Sequence, residues 1–116
     1  MKDNEEKILY KDKEYKVVFN LNVMEAIQEE YGTLDKWTEL TSGKEQEVNV
    51  KALKFGFTQM INEALSIEAE EKGEEYKPLT TAFVGRMLTD IGLKEMTRVL
   101  QTTVIESTKT DEEKNA

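Results

Sequence analysis

The chain has no cysteine and no histidine. Without thiols it forms no disulfide, no thiolate zinc site and no cysteine nucleophile. Without imidazole it lacks the side chain that most often exchanges protons near neutral pH. Proline occurs once, at Pro78, and no apolar run approaches the roughly 20 residues that cross a bilayer. Met1 to Lys7 is charged and carries no apolar signal-peptide core, so a cytoplasmic location is expected.

Catalytic spacing is missing too. The acidic pairs Glu29-Glu30, Glu70-Glu71 and Glu74-Glu75 are adjacent in sequence, and neighbours on a helix do not face each other. They read as solvated faces. The calcium-loop spacing with its central glycine is absent, although Glu68 to Glu75 could hold a stray cation weakly. Gly43, Gly56, Gly73, Gly85 and Gly92 form no phosphate-binding pattern. No enzyme activity, cofactor or metal site is expected.

What is present is 116 residues, enough for one domain with a core of its own. Apolar residues make up 38% and charged residues 34%, so the core must be compact and much of each element must face water. The net charge of −8 repels a phosphate backbone, and nucleic acid is not an expected partner. A DNA mimic would use such a charge differently, but sixteen Lys and Arg are mixed among the acids.

Lys7 to Tyr10 is a short apolar run, Lys11 to Glu14 a polar turn, and Tyr15 to Phe19 alternates with Tyr15, Val17 and Phe19 on one face. That pattern predicts a β-hairpin. The period changes at Asn20. Asn20 or Asn22 can cap a helix carrying Val23, Met24, Ile27 and Tyr31, closed by Gly32. Thr33 can cap a short second helix with Leu34, Trp37 and Leu40, ending at Ser42-Gly43. Asn49 can cap the longest helix, where Val50, Leu53, Phe57, Met60, Ala64 and Ile67 recur at spacings of three and four. That stripe suits an intramolecular core or a helix-pair dimer. The first is expected, because the hairpin also needs cover.

Thr80 or Thr81 can cap a fourth helix with Phe83, Val84, Met87, Leu88 and Ile91 inward. After Gly92, a fifth carries Leu93, Met96, Val99, Leu100 and Val104. The expected fold class is α+β: an N-terminal hairpin, then four to five helices packed as one small domain over residues 1–106. Residues 107–116 are expected as a charged, disordered tail.

With no chemistry to perform, the chain is expected to act by presenting a surface to a protein partner. Four residues are candidates for that contact. Phe55 lies about opposite the Leu53–Phe57–Met60 stripe, so either a second element covers it or it anchors a partner. Gly56 beside it would allow another backbone to approach. Trp37 either seals the core edge or meets the partner. Met60 and Met87 lie on helix stripes, where methionine fills a core or lines an adaptable binding surface.

The order of elements carries one family likeness. The hairpin from Ile8 to Phe19 leads into Asn20-Leu21-Asn22-Val23-Met24-Glu25-Ala26-Ile27 and closes at Tyr31-Gly32. The long helix carries Ala52-Leu53-Lys54-Phe55-Gly56-Phe57. Pro78-Leu79-Thr80, Val84-Gly85-Arg86-Met87-Leu88 and Gly92-Leu93 follow. From Ile8 to Ser107 this resembles the tail assembly chaperones of long-tailed phages and prophages of Gram-positive bacteria. The resemblance implies a non-enzymatic protein of the host cytoplasm that binds the tape measure protein, with the tail tube protein as a further partner. It also implies that the protein is absent from the finished virion. A structural tail or head–tail connector component, and an acidic regulatory or DNA-mimic protein, are the alternatives.

Overall fold

The computed structural model describes residues 6–44 and 46–115, with side chains described as far as Ile105. Two strands, β1 (Glu6–Tyr10) and β2 (Lys13–Val17), pair antiparallel with Ile8 opposite Tyr15. Five helices follow: α1 (Leu21–Tyr31), α2 (Leu34–Ser42), α3 (Val50–Lys72), α4 (Thr81–Ile91) and α5 (Leu93–Asn115). This is the expected α+β architecture of a hairpin covered by helices.

The hairpin is tighter than its composition suggests. Only Lys11 and Asp12 form the turn, both at positive φ (51° and 66°). A two-residue turn of that hand matches the twist of the flanking strands. Lys13 and Glu14 therefore belong to β2, and the strand stops at Val17, before Phe19. Ile8, Tyr10, Tyr15 and Val17 point inward and are buried, while Lys7, Leu9, Glu14 and Lys16 face out. Past the strand end, the Val18 amide donates to the Met60 carbonyl at 3.4 Å. That bond ties the hairpin to α3.

Side-chain caps start the helices. Asn20, Thr33, Asn49 and Thr80 each accept a hydrogen bond from the backbone N–H three residues on. Such a cap satisfies one of the amides that a helix N-terminus leaves without a partner. Asn20 also donates from Nδ2 to Glu63 Oε2 at 2.9 Å, and Asn22 donates to the same oxygen at 3.0 Å. The start of α1 is thus fixed to the middle of α3. Asn20→Ala removes both the cap and the link to Glu63, and should cost about 2 kcal/mol of stability. Asn20→Asp keeps the cap but sets two carboxylates against each other, so it should fall between. Urea unfolding midpoints check this ordering, and equal midpoints for all three proteins would refute it.

α3 is the spine of the core. Ala52, Leu53, Gly56, Phe57, Met60, Ile61 and Ala64 are all buried, and β2, α1, α2 and α4 pack around them. Each fully buried large side chain contributes roughly 1.5–3 kcal/mol. Val50 departs from the expected stripe: it stands at the first turn of α3, 54% exposed, before the packed section begins. Asn62 adds a polar clamp on the loop before α4. It accepts from the Leu79 amide at 2.8 Å and donates to the Leu79 carbonyl at 3.0 Å.

Between α4 and α5 the chain turns at Gly92, whose φ of 108° is open to glycine and strained for other residues. α5 then buries Met96, Val99, Leu100 and Thr103. Its exposed Arg98 bonds Glu95 at 2.8 Å and reaches Glu6 of β1 at 3.9 Å. The hydrogen bond from Arg98 holds the Glu95 carboxyl below its ordinary range. The backbone past residue 106, expected as a disordered tail, continues α5 to Asn115. That segment has no Gly or Pro and is rich in the helix-forming Glu and Lys. Its side chains lie outside the described residues, as do residues 1–5 of the expected domain.

A candidate binding cleft between α2 and α5

Three of the four candidate partner residues are core residues. Trp37 is 1% exposed, and Met60 and Met87 are 0% exposed. A side chain sealed on all sides by its own fold cannot meet a partner, so Met60 and Met87 are withdrawn as contacts. Trp37 is corrected likewise to a core residue, buried beneath the cleft between α2 and α5. The physical reason is coverage. The hairpin, α1, α2 and α4 enclose α3 on several sides, so its stripe from Leu53 to Ala64 is spent on the domain.

Phe55 is half-buried. α1 covers it through Tyr31, the two rings meeting edge-on at 5.6 Å and 74°. The Tyr31 hydroxyl is buried without a hydrogen-bond partner, and burial first, then Glu30, holds its phenol above the ordinary value. Phe55 is therefore a link between α1 and α3. Gly56 does admit a close neighbour, but that neighbour is the Trp37 indole and not a backbone.

Trp37 is held from three directions. Its ring stacks on Phe19 at 6.3 Å with 15° between planes, its Nε1 donates to the Ala52 carbonyl at 3.0 Å, and its six-membered ring lies over Gly56. Beyond it lies a cleft between α2 and α5, with a volume of about 210 Å³ and Trp37 buried at its base. Leu100, Val104 and Ile105 of α5 make one wall; Thr38, Thr41 and Ser42 of α2 make the other, with Lys44 and Gln101 at the rim. Thr41 and Ser42 spend their hydroxyls locally. Thr41 donates to the Trp37 carbonyl at 3.0 Å, and Ser42 donates to the Glu39 carbonyl at 3.3 Å.

The surface offered inside is thus mostly hydrocarbon. Leu100 is buried at the base, and Ile105 stands 57% exposed on the wall. Pockets for cofactors and drug-sized ligands run roughly 300–1,000 Å³. This cleft is smaller and suits apolar side-chain anchors delivered by a larger partner. Ile105 had escaped the sequence pattern because it sits beside Val104, off the Met96–Leu100 stripe that α5 turns inward. Only its clustering with Leu34-to-Ser42 helix residues, some sixty positions away, makes it part of a site.

Among the described residues there is no group of three or more acidic side chains arranged to hold a metal ion. No helix among them is long and apolar enough to cross a membrane. Fold and cleft together define a small α+β domain with an apolar interhelical furrow. No family model, no curated protein and no solved structure matches the chain.

Proposed function

We propose that this chain is a non-enzymatic binding domain that takes an apolar helical segment of another protein into the α2–α5 cleft. Its role is that of a phage tail assembly chaperone, holding the tape measure protein soluble in the host cytoplasm while the tail tube forms. The observation that carries the binding reading is the cleft itself. It has an aliphatic wall from α5, whose Ile105 is 57% exposed, above the buried Trp37. Helix-in-groove recognition needs an apolar groove with a polar rim, and both are present. The tail-chaperone role rests on the resemblance in element order, and on a surface with net charge −8 that keeps the domain apart from its neighbours.

The test is co-expression with the tape measure protein of the same gene cluster. The expected result is a soluble complex that is absent from purified virions. Detection of the chain in virions would favour a tail or connector component instead. Ile105→Glu sharpens the test, because Ile105 is exposed and its loss leaves the core intact. That variant should keep its unfolding midpoint within about 0.5 kcal/mol and lose the complex. It puts a charge where an apolar anchor must sit, which should weaken binding by at least tenfold, or about 1.4 kcal/mol. A variant that binds as the parent does would move the site elsewhere.

A further inference from the structure

The cleft has a charge as well as a shape. Among its lining residues Lys44 is the one that bears a charge, and it forms no ion pair with any described residue. Its amide is engaged with Ser42 Oγ at 3.3 Å, which holds the backbone just past the end of α2, and the residue is exposed. The neighbouring hydroxyls of Thr41 and Ser42 are already donating to helix carbonyls. The strongest unspent donor facing an occupant is therefore a cation at the C-terminal end of α2. A segment that filled the apolar floor and left Lys44 facing an apolar or basic residue would forgo that pairing. One that brought a carboxylate would complete it.

Resting on the binding reading above, we infer that the cleft selects an apolar–acidic segment: a partner helix with its apolar anchor against Val104 and Ile105 and an Asp or Glu beside that anchor, paired with Lys44. The net charge of −8 does not forbid this. Beyond about 8 Å, physiological salt screens the distant acids more strongly than a contact pair at Lys44. Within the cleft Lys44 is the one charge a carboxylate can meet, so it sets the position of the segment as well as its sign.

The single tryptophan makes the test direct, because Trp37 emission reports occupancy of the floor. Two short capped Ala/Gln-based helical peptides are titrated, each with two leucines one turn apart. They differ only in a Glu or a Lys beside the leucines. The parent protein should prefer the Glu peptide by about two- to fivefold, the range of an exposed ion pair, and the preference should shrink with added salt. Lys44→Glu should reverse it, and Lys44→Gln should abolish it. Equal binding of both peptides by the parent, or a preference unchanged in Lys44→Glu, overturns the acidic selection while leaving the apolar cleft standing. Binding of both peptides that ignores Ile105→Glu overturns the cleft itself. No saturable change in emission with either peptide overturns the proposal outright.

Discussion

Trp37→Ala is expected to remove about 4 kcal/mol of folding stability, the largest effect of any substitution considered for this chain. Truncating a buried Trp or Phe to Ala typically costs 3–5 kcal/mol, from lost apolar contact plus the cavity left behind. Trp37 has little chance to fall below that range. It is 1% exposed and stacked on Phe19, so its removal opens a void between the hairpin exit and α3. It also ends the hydrogen bond to the Ala52 carbonyl. Small domains hold only about 5–15 kcal/mol in total, so the variant should be marginal near body temperature. Trp37→Phe separates the parts: it keeps a ring on Phe19, loses the N–H bond, and should cost roughly half as much. Urea unfolding followed by far-ultraviolet circular dichroism measures both, since the fluorescent reporter is gone. A loss under about 1 kcal/mol for Trp37→Ala would mean that the indole is peripheral, and the floor of the cleft would have to be redrawn.

Trp37 also shows where the sequence was legible and where it was not. The helices were legible because capping is local. An asparagine or threonine before a periodic stripe, and a glycine after it, mark the ends within a few residues. The ambiguity between Asn20 and Asn22 was resolved by geometry: Asn20 caps, while Asn22 sits inside α1 and donates to Glu63. The strands were legible by alternation. Their register was not, because Lys13 and Glu14 are polar for facing out rather than for turning, and the turn residues Lys11 and Asp12 lack the usual glycine. The cleft was not legible at all. It exists between α2 and α5, two helices far apart in the chain, above the buried Trp37. Periodicity tells which residues share a face of one helix. It cannot tell which faces of two helices stop short of meeting, so it offers Met60 and Met87 and passes over Ile105.

Gly56→Ala should destabilise the domain by about 2 kcal/mol, against the ordinary trend for a mid-helix glycine. Ala is favoured over Gly in a helix interior by about 1 kcal/mol, so backbone preference alone predicts a gain. Here a methyl group at Gly56 would overlap Cζ2 of the Trp37 indole and press on its Cε2 and Nε1. Those atoms cannot yield cheaply. The ring is rigid, stacked on Phe19 and bonded to the Ala52 carbonyl. Overpacking of this kind typically costs 1–3 kcal/mol and occasionally more, and at so tight a contact it outweighs the helical gain. Gly85 is the control. A methyl there would meet Cδ of Lys54 at 3.1 Å, part of a flexible chain that can swing aside, so Gly85→Ala should be tolerated. A double-mutant cycle decides the cause. If the indole is what the methyl strikes, Gly56→Ala in the Trp37→Ala background should become stabilising by about 0.5–1 kcal/mol, a coupling of close to 3 kcal/mol between the two sites. Additive costs would show that Gly56 serves the α3 backbone rather than the indole. The position of Trp37 beneath the cleft would then be set by Phe19 and Ala52 alone.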